Sequence, residues 1–288
     1  MDILVIGGTR FFGIPMVEEL LRQEHHVTVA TRGNTHGMFG DRVAYLTLQR
    51  NDPDSMRTAL QGKHFDVVID KIAYCSNDIR YALDVLDCEK YIHMSSTAVY
   101  NPKHMDTKET DYDPCAHPLL WCARDAASYA EVKRQAEHAL FQAYPDQKSI
   151  AVRYPFVIGA DDYTRRLHFY IEHTLRGIPM YIDNLDAQMG YIHSDEAGLF
   201  MAHLVTTDFV GAINGCSRGT ISLREIIEYV EKKCKVRAVL SPDGDPAPYN
   251  GEVAYSINTN LASSLGFTFS NLHDWIYDLI DHIIKDFG

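Results

Sequence analysis

The chain places a phenol and an ammonium one helical turn apart, a combination suited to acid–base chemistry. Tyr129 and Lys133 stand four positions apart in a stretch of helical periodicity, so both side chains fall on one face of a helix. A free tyrosine has a pKa of about 10, and a neighbouring cation lowers that pKa because it favours the phenolate. Tyr129 is therefore a candidate to exchange a proton with a substrate hydroxyl. Ser96, at the end of a predicted strand, is a candidate to hydrogen-bond the same oxygen.

The same spacing occurs twice, and the surrounding pattern separates the two pairs. Tyr229 and Lys233 also stand four positions apart, but they fall in a late helix with no strand end beside them. Tyr129 and Lys133 open the helix that follows a serine-ended strand. We therefore expect chemistry at Tyr129, and we interpret the later pair as a coincidence of spacing. The alternative for Ser96, Tyr129 and Lys133 is a structural hydroxyl and a surface pair.

The first 32 residues have the pattern of a nucleotide-binding unit. A β-branched run at 2–6 predicts a buried strand, a glycine-rich turn covers 7–13, and a helical pattern follows up to 24. A second β-branched run occupies 26–31. A strand, glycine turn, helix and strand of this length form the first βαβ unit of a dinucleotide-binding fold. The alternative is a glycine-rich turn without a ligand.

The glycines of this turn have predicted roles in phosphate binding. Gly7 allows the tight turn, the missing side chain of Gly8 lets the backbone approach a pyrophosphate, and Gly13 lets helix and strand pack closely. The helix N-terminus would offer N–H groups and a positive dipole end. We expect a side chain at Gly8 to block this binding and leave the fold intact. The loop residues predicted to bind the cofactor are Gly7, Gly8, Thr9, Arg10, Phe11, Phe12 and Gly13.

Further strands alternate with helical patterns along the first half of the chain. Strands are predicted at 43–48, 65–70, 90–95 and 149–154, and a polar stretch at 34–41 precedes the first of them. This alternation predicts an α/β fold with a doubly wound parallel sheet. We expect a dinucleotide-binding domain at 1–158. A smaller α/β substrate lobe is expected at 159–288, with some of its strands returning to the main sheet.

One long stretch breaks this alternation. Residues 101–128 hold three prolines, several acidic residues and an isolated apolar triplet at 119–121. Long loops inside compact domains are more often functional than neutral. We predict a lid or a substrate edge here.

Composition restricts the class of protein. The 288 residues are 46% hydrophobic and 23% charged, as in ordinary globular proteins, and no apolar run approaches a membrane span. Six cysteines without a C-x-x-C pair predict reduced thiols in the cytoplasm, and no targeting segment is predicted. A net charge of −12 opposes binding to nucleic acid. The fourteen histidines lack metal-ligand spacing, so no metal is predicted. Because no apolar run is long enough, no membrane partner is predicted either.

Together these motifs resemble the extended short-chain dehydrogenase/reductase superfamily. The resemblance, to its NAD-dependent epimerase/dehydratase family, covers nearly the whole chain and depends on the glycine turn, Ser96, Tyr129 and Lys133 in that order. More narrowly, Gly-Gly-Thr-Arg-Phe-Phe-Gly at 7–13 with a later Thr-Arg-Gly resembles a subgroup named after chloroplast stem-loop-binding proteins.

The resemblance implies a hydride transfer with a nicotinamide cofactor. Tyr129 would take the proton of a substrate hydroxyl while hydride leaves, Ser96 would hold that oxygen, and Lys133 would also reach the nicotinamide ribose. The implied activity is epimerisation or reduction at a sugar hydroxyl, of a nucleotide sugar, through a keto intermediate. A homodimer is compatible with the resemblance. The rival hypothesis is a nucleotide-binding fold that serves RNA or protein binding without catalysis.

Two departures from the family pattern concern the substrate. Thr97 and Ala98 stand where the 4,6-dehydratases have Asp and Glu, so water loss has no acid–base pair here. Met189 stands where many nucleotide-sugar enzymes have an Arg that grips the diphosphate. Other arginines that could supply this charge are Arg165, Arg166 and Arg218. The predicted substrate contacts are Thr97, Arg165 and Arg166.

The end of the second strand determines the choice between NAD and NADP. An acidic residue there would bind the ribose hydroxyls of NAD, but this chain has Thr31 and Arg32. Arg10 lies in the neighbouring glycine turn, and two guanidinium groups suit a ribose 2′-phosphate. This favours NADP slightly. The alternative is that both arginines stack on adenine or meet solvent.

Overall fold

A parallel sheet of seven strands forms the centre of the protein in the computed structural model, which describes residues 1–33 and 37–287. The strands, in chain order, are β1 (Asp2–Ile6), β2 (His26–Thr31), β3 (Ala44–Thr47), β4 (His64–Asp70), β5 (Asp87–Ser96), β6 (Lys148–Tyr154), β7 (Phe156–Ile158), β8 (Met180–Tyr181), β9 (Tyr191–His193), β10 (Gly211–Asn214) and β11 (Asp245–Pro246). The helices are α1 (Gly13–Arg22), α2 (Pro53–Leu60), α3 (Ser76–Leu83), α4 (Tyr129–His138), α5 (Arg166–Arg176), α6 (Ser194–Leu204), α7 (Leu223–Cys234), α8 (Asn260–Ser264) and α9 (Ile276–Lys285).

The strand order of the main sheet is β10-β6-β5-β4-β1-β2-β3, and every neighbouring pair is parallel. The predicted α/β class with a doubly wound parallel sheet is confirmed. The order reverses between β1 and β4, and such a switch point opens a crevice at the carboxyl ends of the strands. Within the predicted polar stretch at 34–41, residues 34–36 lie outside the described part of the chain.

Alternate residues of β1 supply two different cores. Ile3 and Val5 pack with α1 and α6 on one face of the sheet, while Leu4 and Ile6 pack with α2, α3 and α4 on the other. Side chains of a strand point to opposite faces in turn, so a run that is apolar at every position must be covered on both sides. The continuous apolar run at 3–6 therefore explains the two helical layers.

The C-terminal part of the chain contributes to both the main sheet and a core of its own. β10 extends the main sheet beside β6, and α6 packs against α1. A third apolar core gathers residues of α5, α7 and α9. β7 pairs with β9 next to this core.

The stretch at 101–128 is fastened to its surroundings along its length. The Thr107 N–H donates to the Ser256 carbonyl (2.9 Å), and Gln142 Nε2 donates to the Pro114 carbonyl (2.6 Å). Near its end, the Cys122 N–H donates to Ser76 Oγ (2.8 Å). These bonds support the predicted substrate edge, which we call the wall, rather than a lid.

A fully buried ion pair joins the wall to the sheet and to α4. Arg153 of β6 and Glu137 of α4 have no exposed surface, and Arg153 Nη2 lies 2.6 Å from Glu137 Oε2. The same guanidinium donates to the carbonyls of Glu109 (3.0 Å) and Tyr112 (3.2 Å) in the wall. Removing one partner of such a pair leaves an uncompensated charge in the interior.

We therefore expect Glu137→Gln to lower the free energy of unfolding by about 3 kcal/mol or more. Glu131→Gln on the same helix is the control, because the Glu131–Arg134 pair is partly exposed (38% for the Glu131 side chain) and should contribute at most about 1 kcal/mol. Urea unfolding of both variants measures the difference. Equal losses in the two variants would contradict the assigned importance of the buried pair.

Candidate active site

Two adjoining cavities open at the carboxyl edge of the sheet. The first, about 400 Å³, is lined by residues at the ends of β1, β2, β3 and β4, and we call it the nucleotide cavity. The second, about 390 Å³, is lined by the end of β5, the start of α4 and residues of the C-terminal part, and we call it the substrate cavity. Tyr74 and Tyr163 line both cavities. The cavities therefore meet at these two rings.

Ser96 and Tyr129 come together in the substrate cavity. Ser96 is the last residue of β5, and Tyr129 is the first residue of α4, whose N-terminus is capped by the Ser128 hydroxyl accepting from the Glu131 N–H (3.3 Å). Ser96 and Tyr129 both line the substrate cavity. Desolvation raises the pKa of Tyr129, and the nearby Ser96 hydroxyl opposes this rise. The phenol is therefore positioned to act as an acid in this structure.

Lys133 lies deeper than the sequence predicts. It is fully buried, and Nζ donates to the carbonyls of Ala73 (2.8 Å) and Met94 (2.7 Å) at two strand ends. Burial lowers the pKa of this lysine to about 8. Lys133 is absent from the lining of both cavities, and its ammonium is bound by the two backbone carbonyls. Its contact with a nicotinamide ribose stays a prediction.

The structure supports the predicted roles of Gly7 and Gly13 in the glycine turn and corrects the predicted role of Gly8. Gly7 has a φ of +92°, as the tight turn requires. A Cβ on Gly13 would lie 2.8 Å from the Gly8 carbonyl oxygen, so this glycine allows close packing of the helix on the turn. A Cβ on Gly8 would lie 2.9 Å from side-chain atoms of Val5 and Val17. Gly8 therefore makes room for the core, and the expected role toward a pyrophosphate is wrong.

The rest of the turn is divided between the cavities. Gly7, Thr9 and Arg10 line the nucleotide cavity, whereas Phe11 and Phe12 line the substrate cavity. The Arg10 guanidinium lies 4.6 Å from the centre of the Tyr163 ring. The turn thus borders both sides of the place where the cavities meet.

The nucleotide cavity is strongly basic. Arg10 and Arg32 line it, as the sequence predicts, and so do three cations that sequence reasoning missed: Arg50, Lys71 and Arg124. Arg50 pairs with Asp70 (2.5 Å) and Arg124 with Asp78 (2.9 Å). Burial lowers the pKa of Lys71 to about 8. Lys71 directly follows β4, a position that a search of strand ends could have identified; Arg124 comes from the wall.

The substrate cavity receives two of the three predicted contacts. Thr97 and Arg166 line it, but Arg165 does not. Arg165 adopts a left-handed backbone (φ 52°), and its guanidinium lies 5.9 Å from the centre of the Phe287 ring. Met189 is fully buried in the C-terminal core and makes no contribution to this cavity.

Further residues of the substrate cavity were not predicted. Lys103 of the wall pairs with Glu252, and its ammonium lies 4.2 Å from the centre of the Tyr255 ring. Besides the predicted site residues Phe11, Phe12 and Tyr129, the aromatic residues lining the cavity are Tyr74, Tyr154, Phe156, Tyr163 and Tyr255. Flat aromatic faces and few charges suit a ring-shaped substrate.

The later Tyr–Lys pair lies outside the nucleotide and substrate cavities. On α7, the Tyr229 hydroxyl donates to Asp281 Oδ1 (2.9 Å) and Lys233 Nζ to Asp281 Oδ2 (2.5 Å). Both groups are thus bound to one carboxylate, away from the residues that line the two described cavities.

Three further features concern membrane insertion, metal binding and disulfide bonds. In the described part of the chain, no helix combines the length and apolar character that crossing a bilayer requires. His64, Asp66 and Glu89 cluster near the amino ends of β4 and β5, at the edge of the sheet opposite the cavities. All six cysteines are free thiols.

With this geometry established, the chain can be compared with known proteins. Residues 3–87 match the model of the NAD dependent epimerase/dehydratase family. The chain also superposes on a UDP-glucuronic acid 4-epimerase from Bacillus cereus, solved with UDP-glucuronic acid and NAD, with a TM-score of 0.74 and 19% identity over 100% of both chains. At 19% identity, this similarity is evidence of a shared fold alone. The match over residues 3–87 agrees with the family resemblance that the sequence motifs indicate.

Two curated relatives match part of their own length. A 2'-dehydrokanamycin reductase from Streptomyces kanamyceticus is 26% identical over 240 residues, which is 80% of this chain and 66% of the relative. The chloroplast stem-loop binding protein of 41 kDa b from Arabidopsis thaliana is 31% identical over 112 residues, 34% of this chain and 30% of the relative. In both cases the match spans less than two thirds of the relative. The second supports the narrower subgroup over a third of the chain.

The corrected role of Gly8 has a measurable consequence. Gly8→Ala should lower the free energy of unfolding by about 1–3 kcal/mol, because its methyl group would overpack the core against Val5 and Val17. Adding Val17→Ala, which removes one of the two opposing methyl groups, should make the combined loss smaller than the sum of the single losses. Thermal or urea unfolding of the four proteins tests this. A Gly8→Ala variant as stable as the wild type would contradict the packing role of Gly8, and its predicted role in phosphate binding would then stand.

Proposed function

We propose that this protein is an NAD(P)-dependent epimerase or reductase that interconverts a sugar hydroxyl and the corresponding keto group. Substrate screening distinguishes the two activities. The observation that carries the proposal is the placement of Ser96 and Tyr129 in one cavity that adjoins a basic nucleotide cavity. Ser96, Tyr129 and Lys133 are the proposed catalytic group. Residues 1–158 are proposed as the cofactor domain and 159–288 as the substrate lobe.

The residues of the site have distinct roles in this proposal. A bound nicotinamide accepts or supplies the hydride. Tyr129 exchanges a proton with the substrate hydroxyl at its phenolic oxygen, and Ser96 donates a hydrogen bond that favours the phenolate. Lys133 contributes a buried positive charge near the phenol, one helical turn along α4. Aromatic side chains line the cavity around the phenol.

The nucleotide cavity fits an anionic dinucleotide. Arg10, Arg32 and Lys71 line it without a carboxylate partner among the described residues, so their charges are available to phosphates. Arg32 at the end of β2 is placed for a ribose 2′-phosphate, which supports the preference for NADP. NAD is the cofactor in the Bacillus cereus epimerase structure.

We further propose a nucleotide sugar as the substrate. Arg166 is half-buried at the substrate cavity and has no carboxylate partner among the described residues, so it can take the diphosphate contact that Met189 cannot. The matched epimerase binds UDP-glucuronic acid, a molecule of this class. The relative from Streptomyces is named for a reduction at a dehydrokanamycin, which keeps simple reduction among the proposed reactions.

We also propose a cellular compartment and a class of binding partner for the protein. Six free thiols suit a reducing compartment, and we propose the cytoplasm. A net charge of −12, with cations gathered inside the nucleotide cavity, supports a small-molecule ligand over RNA. A homodimer is compatible with this function.

Tyr129→Phe tests the proposed chemistry. The variant keeps the ring but removes the only proton that the phenol can exchange, so turnover should fall by about 10² or more with cofactor affinity nearly unchanged. Tyr229→Phe is the matched control and should leave turnover within about twofold, because its hydroxyl only bonds Asp281. A panel of sugar nucleotides, screened by nicotinamide absorbance, supplies the substrate. Full activity in Tyr129→Phe would refute the assignment.

Arg32→Ala tests the preference for NADP. Loss of the guanidinium should weaken NADP(H) by about tenfold and NAD(H) much less, since only NADP(H) carries the 2′-phosphate. Arg57→Ala, an exposed arginine on α2, controls for the change in net charge. Calorimetry with both cofactors measures the affinities. Equal weakening of the two would remove the case for NADP, and no binding of either by the wild type would refute the proposed function.

A further inference from the structure

The substrate cavity contains an ion pair whose two partners come from separate segments of the chain. Lys103 belongs to the wall and Glu252 to the C-terminal part, and the Lys103 ammonium pairs with the Glu252 carboxylate. Both side chains line the substrate cavity, and neither lines the nucleotide cavity. The pair therefore belongs to the substrate side of the cleft, and the chemistry at Ser96 and Tyr129 assigns it no role.

The fold holds both partners of this pair close to each other. The wall near Lys103 is joined to the segment after Glu252 by the bond from the Thr107 N–H to the Ser256 carbonyl (2.9 Å). Asn184 Nδ2 donates to the Glu252 carbonyl (2.9 Å). Only 12% of the Lys103 side chain and 25% of the Glu252 side chain are exposed. The pair is thus fixed by its surroundings, unlike a pair of long side chains at the open surface.

Each partner keeps hydrogen-bonding capacity that a ligand can use. Glu252 Oε2 accepts from Lys103, whereas Glu252 Oε1 has no donor among the described residues. The ammonium has more N–H groups than its bond to Glu252 uses, and it lies 4.2 Å from the centre of the Tyr255 ring. Hydroxyl groups both donate and accept hydrogen bonds. A carboxylate oxygen next to an ammonium therefore matches the hydroxyl groups of a sugar.

The pair lies near the residue proposed for the diphosphate. The centre of the Phe156 ring lies 5.4 Å from the Arg166 guanidinium carbon and 5.8 Å from the Lys103 ammonium. A sugar attached to a diphosphate at Arg166 would therefore reach Lys103 and Glu252 across the Phe156 ring.

We propose that the Lys103–Glu252 pair selects a neutral sugar ring, bound through its hydroxyl groups, over a sugar acid. Because Lys103 is already neutralised, a sugar carboxylate at this place would find no free cation and would face the Glu252 carboxylate. Specificity then comes from a repulsive contact as well as from an attractive one. The inference rests on the proposed function, because it assigns a class to the nucleotide sugar proposed above.

Calorimetry at fixed ionic strength tests the inference with UDP-glucose and UDP-glucuronic acid, which share a base and a diphosphate and differ in the charge of the sugar. The wild type should bind UDP-glucose about tenfold more tightly than UDP-glucuronic acid. Glu252→Gln frees the charge of Lys103, so this preference should fall by about tenfold. Lys103→Met leaves the Glu252 carboxylate unpaired, so the preference should rise instead.

Glu18→Gln is the matched control. Glu18 pairs with Arg42 outside both cavities, and the substitution changes the net charge by the same amount as Glu252→Gln. It should leave the preference unchanged. The double variant of Lys103→Met and Glu252→Gln should return the preference toward that of the wild type, because no unpaired charge remains. Since the two single variants have opposite expected effects, either one tests the inference if the other does not fold.

A wild type that prefers UDP-glucuronic acid would overturn the inference, and so would single variants with the preference of the wild type. An equal change in Glu18→Gln and Glu252→Gln would also overturn it. In each of these cases a sugar nucleotide is still bound, so the proposed function stands. A wild type that binds neither ligand would refute the nucleotide-sugar substrate, and the inference would fail with it.

Discussion

The buried ion pair between Arg153 and Glu137 is the interaction on which the rest of the site depends. A guanidinium without hydration is costly in an interior unless its donors find partners. Arg153 satisfies this requirement with the Glu137 carboxylate, the Tyr100 hydroxyl and two carbonyls of the wall. Tyr100 in turn donates to Asn214 Oδ1 of β10 (2.6 Å). One cation therefore joins β6, α4, the wall and the edge of the sheet.

This network determines how precisely the proposed catalytic group is held. Glu137 lies one turn after Lys133 on α4, and its Oε1 also accepts from Ser95, the neighbour of Ser96. The helix that carries Tyr129 and the strand that carries Ser96 are thus bound to the same carboxylate. The placement of Ser96 and Tyr129 in one cavity depends on this relative position of helix and strand.

A second buried network organises the nucleotide side. Arg50 pairs with Asp70 and donates to the Asp78 carbonyl (2.6 Å), while the Asp78 carboxylate accepts from the Tyr74 N–H and from Arg124. The ends of β3 and β4, the start of α3 and the wall are therefore connected beneath the cavity. In this arrangement the basic residues of the cleft are partly structural. Because Arg50 and Arg124 are paired with carboxylates, only part of the positive charge of the cleft is available to a ligand.

The sequence by itself determined the order of strands and helices, the parallel sheet and the proximity of Ser96 to Tyr129. Periodicity and glycine spacing are local properties, and the carboxyl ends of parallel strands must meet at one edge. The depth of Lys133, the inward direction of Gly8 and the entry of Tyr74, Lys71 and Arg124 into the cleft were decided by the tertiary structure. These depend on which atoms of distant segments fill the space around a residue. A one-dimensional pattern carries no information about such packing.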